Sequence, residues 1–112
     1  MSADDDALRR VMRDPVFSSP VRLGIMLYLI PRGEAYFTEL QEALKLTPGN
    51  LGSHLKKLRE AGYVRILRYL EDRPRTVIKA TDIGVRKTLE YINKLMSAAE
   101  DVLKTYGEEH RS

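Results

Sequence analysis

Apolar and polar positions recur along this chain with two periods, and the switches between them outline five helices and a hairpin. Leu8, Val11 and Met12 share one side of residues 4–13, a helical spacing. Asp4, Asp5 and Asp6 stand at the positive end of that segment, with Arg9, Arg10 and Arg13 further along, a charge order that suits the helix dipole. Asp14-Pro15 breaks it, because the residue before a proline avoids the helical region. Ser19-Pro20 then reads as a helix start, with Ser as N-cap and Pro at the first helical position. Residues 21–30 are apolar nearly all round, which predicts a buried helix. Gly24 is expected to admit a close neighbour, and Pro31-Arg32-Gly33 to stop the helix.

Tyr36-Phe37 is a short extended piece. Thr38 with Gln41 three residues later predicts a capping box, and Leu40, Ala43 and Leu44 form the inner face. Thr47-Pro48 repeats the cap-plus-proline signal after a brief link. Leu51, Leu55, Leu58 and Ala61 then recur at helical spacing, and Gly62 is placed to close that helix in the left-handed conformation. Residues 63–70 are rich in β-branched, aromatic and leucine side chains, and 71–74 read as a turn. In 75–80, Thr76, Ile78 and Ala80 alternate against Arg75, Val77 and Lys79, which completes a hairpin. Thr81 caps a last long helix reaching about Tyr106 before Gly107. The fold class is mainly α with a small β-hairpin wing: a winged helix-turn-helix with a long C-terminal dimerisation helix. It is read as a single domain over 1–112, with its core at about 16–82.

The chain has 112 residues, the size of one domain, and 43% hydrophobic with 31% charged residues is a globular balance. The net charge is only +3, but residues 47–82 hold eight basic and four acidic side chains while both flanks are near neutral. A local positive field suits a phosphate-bearing partner. With no cysteine, disulfides and thiolate metal sites are excluded. The acidic N-terminus is unlike a secretory signal, and the longest apolar run, 25–30, falls short of the ~20 residues of a membrane span. A soluble, cytoplasmic protein without a membrane partner is expected.

Three features carry candidate chemistry. The first is the helix from Thr47 onward, whose outer side offers Thr47, Pro48, Gly49, Asn50, Ser53, His54 and Lys57, with Lys56 and Arg59 on the flanks and no carboxylate before Glu60. Amide, hydroxyl and imidazole groups bond base edges in a major groove, and a helix N-terminus holds phosphate. An ordinary solvated helix face is the plain alternative. The second is the hairpin tip, where Arg73 and Arg75 flank Pro74 with Arg68 across the strand pair. Such a tip fits a narrow minor groove, or it guards an exposed edge against aggregation; Arg65 and Lys79 are read as edge or surface charges. The third is the seam Val85, Leu89, Ile92, Met96, Ala99, Leu103 and Tyr106, widened by Leu95 and Val102, a heptad spacing. Its helix spans ~39 Å at ~1.5 Å per residue, longer than the body it covers. With Leu8, Val11 and Met12 it predicts a homodimer interface, the alternative being a fold back onto its own N-terminal helix. His54 and His110 are the only histidines and lie far apart, so no metal site is expected. No catalytic set stands out, so neither an enzyme nor a cofactor is expected.

The segments around Pro20–Leu29, Phe37-Thr38-Glu39-Leu40, residues 46–58, Ala61-Gly62-Tyr63-Val64, Arg73-Pro74-Arg75-Thr76 and Thr81-Asp82-Ile83-Gly84 together resemble winged-helix transcriptional regulators. The similar subgroup is the compact one related to the multiple-antibiotic-resistance (MarR) and arsenical-resistance (ArsR) repressors, over about residues 16–95. The resemblance implies a homodimer with residues 47–57 in the major groove of double-stranded DNA and the 73–75 tip at the flanking minor groove, repressing by promoter occupancy. The absence of cysteine departs from the metal-sensing members, and no effector is identified. A winged-helix protein-interaction module and a sequence-indifferent chromatin protein stand as alternatives; the polar face at 50–57 and the modest net charge argue against them.

Overall fold

A computed structural model describes residues 3–70 and 72–107. Glu71 and His110 lie outside the described residues. The helices are α1 (Ala3–Arg13), α2 (Pro20–Arg32), α3 (Phe37–Leu44), α4 (Pro48–Glu60) and α5 (Asp82–Val102), the last continued by a π-helical turn, Leu103–Gly107. The strands are β1 (Glu34–Tyr36), β2 (Val64–Tyr69) and β3 (Arg75–Ala80).

Local chemistry accounts for the helix starts. Ser19, Thr47 and Thr81 are N-caps whose hydroxyls accept from the N–H groups of Arg22, Asn50 and Gly84, satisfying donors that a helix end leaves free. Between α1 and α2, Asp14 Oδ1 accepts from the backbone of Val16 at 2.9 Å and Phe17 at 2.6 Å. That turn drives Phe17 into the core, 5.5 Å from the Tyr63 ring and 5.1 Å from the Tyr91 ring. The rest of the core is Val16 of the same turn, Ile25, Met26 and Leu29 of α2, Leu40 of α3, Leu51, Leu55 and Leu58 of α4, and Ala35, Val64 and Ile78 of the sheet.

Three local expectations are corrected. The capping box of α3 lies two residues early: Tyr36 is its N-cap and Glu39, not Gln41, reaches back, accepting from the Tyr36 N–H at 3.4 Å. The Pro31-Arg32-Gly33 segment ends α2 as expected, the helix running to Arg32 with Gly33 as its C-cap. So near the end a proline removes one hydrogen bond only, and Gly33 N–H to Leu29 O and Arg32 Nη1 to Tyr28 O hold the final turn. The sheet has three strands in the order β1-β3-β2, because Ala35 pairs with Ile78 and Tyr36 with Val77. β3 is therefore central, Val77 is buried on the face opposite Ile78, and Lys79 lies beside Glu34 at 3.6 Å rather than on an edge.

The third concerns glycine. A Cβ on Gly24 would meet nothing within 4 Å, whereas one on Gly84 would sit 2.9 Å from the Tyr63 carbonyl carbon, nearer still to its oxygen, and 3.0 Å from Met26 Cε. The close approach is thus between the first turn of α5 and the end of the α4–β2 link. Gly62, at φ 81, turns the chain there. Its carbonyl accepts from Thr81 Oγ1 at 2.6 Å, and the Tyr63 carbonyl accepts from Thr81 N at 3.0 Å. Gly84→Ala is expected to lower stability by about 1–3 kcal/mol, while Gly24→Ala, in an open helical position, is expected to raise it by roughly 0.5–1 kcal/mol. Urea midpoints of the two variants check the pair; equal midpoints would contradict the placement.

Candidate nucleic-acid interface

α4 follows α3 through Lys45, which takes the left-handed conformation at φ 52 and lets the second helix turn away from the first. Leu51, Leu55 and Leu58 anchor the inner side of α4. The sequence-predicted residues Thr47, Pro48, Gly49, Asn50, Ser53 and Lys57 are all exposed on the other side. Helical spacing divides this face. Asn50, His54 and Lys57 flank the side nearer α2; Gly52, Lys56 and Arg59 flank the side nearer the wing.

His54 differs from its neighbours. It is half-buried, and its Nδ1 lies 3.2 Å from Arg22 Nη1. Arg22 is itself buried and donates from Nε to the Val16 carbonyl at 2.6 Å. One guanidinium thus connects the α1–α2 turn, α2 and α4. Burial, followed by the positive charges of Arg22 and Lys57, pushes the His54 imidazole below its ordinary value, which favours the neutral ring. Arg22 was missed as a site residue; its signal was that it is the one charged side chain between Ser19 and Arg32 in an otherwise apolar helix.

The wing divides the arginines. Paired residues share a face, and Arg68 pairs with Thr76 while Tyr69 pairs with Arg75. Arg68 therefore joins the face toward α4, where it lines a groove of about 660 Å³ with Lys56 and Arg59. Lys56 and Arg59 gain importance from this placement; their spacing of three beside the recognition positions was the available signal. Arg75 points to the other face, donates to Tyr36 Oη at 3.3 Å and stands 5.6 Å from the centre of that ring. Arg73 is exposed beside Pro74 at the tip.

α5 turns Gly84, Thr88 and Tyr91 inward, with Thr88 Oγ1 donating to the Gly84 carbonyl at 2.7 Å. α1 packs against it, burying Ala7 and half-burying Val11. The predicted seam is a different side. Leu8, Met12, Leu89, Leu95, Met96, Val102, Leu103 and Tyr106 are exposed, from 39% at Leu95 to 76% at Met12, and Ile92 and Ala99 are half-covered. Among the described residues no helix is long and apolar enough to cross a membrane, and no group of three or more His, Cys, Asp or Glu could hold a metal.

A family profile for the winged helix DNA-binding domain matches residues 21–99. An uncharacterised protein of Methanocaldococcus jannaschii is 35% identical over 88 residues, covering 78% of this chain and 96% of that one. A solved transcriptional regulator homologue from Pyrococcus horikoshii is 38% identical, with a TM-score of 0.84 over 87% of this chain and 97% of its own. A MarR-family transcriptional regulator from a Rhodococcus species shares the fold, at 18% identity and a TM-score of 0.69 over 90% of this chain and 71% of its own. These matches span the helix-turn-helix, the wing and most of the last helix, and the chain belongs to the winged helix DNA-binding domain family.

Proposed function

We propose that this protein is a homodimeric, sequence-specific regulator of transcription that binds double-stranded DNA in the cytoplasm and represses by occupying its site. The observation that carries the reading is the exposed, carboxylate-free face of α4 from Thr47 to Lys57, set beside a groove lined by Lys56, Arg59 and Arg68. Asn50, Ser53 and His54 supply donors and acceptors for base edges. The helix N-terminus and the cations supply phosphate contacts that fix the register. Arg73 and Arg75 extend the cationic surface toward the flanking minor groove.

The twofold assembly is proposed from the apolar side of α5 and α1. Contiguous apolar surface of this kind is rare on soluble monomers, and although α1 of the same chain packs along α5 through Ala7 and Val11, Leu89, Met96, Val102 and Leu103 of the stripe stay exposed. Pairing two copies through this stripe would give a pair of recognition helices spaced for one duplex turn, ~34 Å, and a near-palindromic site. A domain devoted to duplex contact and self-association has promoter occupancy as its direct means of regulation. The proposal includes no catalytic residue, cofactor or effector.

Selection of bound fragments from genomic DNA, with sequencing, tests the function; recovery of no shared motif would defeat it. On the selected duplex, log affinity is expected to fall steeply with log salt concentration. Arg73→Ala should weaken all duplexes and flatten that slope by about 1, whereas Asn50→Ala should cost about 1–3 kcal/mol on the selected site and relax base choice there. The double variant Leu89→Glu/Met96→Glu should retain its helical spectrum, because both side chains are exposed, yet sediment as a monomer. A wild-type chain that sediments as a monomer at micromolar concentration would remove the twofold assembly.

A further inference from the structure

His54 is the recognition-helix side chain that is joined to the scaffold as well as set beside the exposed face. A guanidinium has five N–H donors and no acceptor. The 3.2 Å contact between Arg22 Nη1 and His54 Nδ1 therefore requires a lone pair on Nδ1. In a neutral imidazole the proton then resides on Nε2. Arg22 cannot readily leave, because its Nε is bound to the buried Val16 carbonyl at 2.6 Å. The charged groups acting on the ring are Arg22 of α2 and Lys57 of α4, both cationic, and together with burial they disfavour the imidazolium. Among the described residues no ion pair includes either Arg22 or His54. Nε2 has no hydrogen-bond partner among the described residues and is not a buried unpaired atom, so it faces solvent on the flank shared with Asn50 and Lys57.

We infer that Arg22 is a positioning residue that fixes His54 as an Nε2–H donor, and that this donor reads an acceptor on a major-groove base edge. The eligible acceptors are purine N7, guanine O6 and thymine O4; the amino groups of cytosine and adenine are donors and are refused. This rests on the DNA-binding reading above. A mobile or protonated imidazole would serve a phosphate equally well and carry no base information. A neutral ring with one assigned proton discriminates, because facing two donors leaves both unpaired.

Long-range proton–nitrogen correlation spectra of the full chain, in a His110→Gln background at pH about 8, test the tautomer above the ordinary imidazole range. The expected result is an unprotonated Nδ1 and a protonated Nε2, with Arg22→Met giving an averaged mixture. A protonated Nδ1, or an Arg22→Met protein that folds and keeps the single tautomer, overturns the positioning role. If Arg22→Met does not fold, the wild-type spectrum alone decides. On the selected duplex, His54→Leu should lose roughly five- to tenfold in affinity at the cognate sequence and nothing on a scrambled one, while His54→Gln, which keeps an N–H donor, retains the preference. Equal weakening on both duplexes, with a salt slope reduced by about 1, would mean a phosphate contact and overturn the base-edge assignment. Absence of any effect of His54→Leu would overturn it too. If the wild-type chain binds no duplex, the DNA reading itself fails and the base-edge assignment with it, whereas the tautomer result stands independently.

Discussion

Two adjacent carbonyls, those of Gly62 and Tyr63, join the parts of this molecule that must act together. They sit where α4 ends and β2 begins, and Thr81 binds both, through its hydroxyl and its N–H. The same hydroxyl accepts from Gly84 N, so one side chain caps α5 and ties it to the end of the recognition helix. Gly84 lacks the Cβ that would strike Tyr63, which lets α5 come in close. The recognition helix, the wing and the long helix therefore share one junction. Any twofold axis built on α5 inherits its distance and angle to the α4 face from that junction.

Arg22 does a related task from the other side of α4. A buried cation without a carboxylate partner is costly to desolvate, and here two buried or half-buried acceptors, the Val16 carbonyl and His54 Nδ1, compensate it. The arrangement leaves the positive charge uncancelled beneath the proposed DNA face. A carboxylate in place of His54 would neutralise that field; an imidazole accepts the bond without adding a negative charge. Stability, tautomer and electrostatic sign thus meet in one pair of side chains.

The wing shows how a small sheet serves both packing and binding. β1 contributes only three residues, yet its pairing makes β3 central. Ile78 faces the core and Val77 is buried on the other face of the sheet. Its arginines are separated accordingly, Arg68 beside Lys56 and Arg59, Arg75 against Tyr36. A rigid base beneath an exposed tip restricts where Arg73 can reach.

Much of this was legible from residues near one another in the chain. The caps at Ser19, Thr47 and Thr81, the left-handed Gly62, the inward Leu51, Leu55 and Leu58, and the exposed polar side of α4 all follow from interactions three or four residues apart, which a linear reading can see. The outward heptad stripe was legible for the same reason. What the tertiary structure decided depends on partners far along the chain. Glu34 pairs with Lys79, which moves Lys79 from an edge to the centre. Tyr63 meets Gly84, which makes that glycine, and not Gly24, the point of close approach. Arg22 meets His54 across 32 residues, which converts a presumed free base-contacting group into one held from behind. Periodicity tells which side of an element is apolar; only the packed chain determines which other element that side meets, because contact requires both partners to be placed.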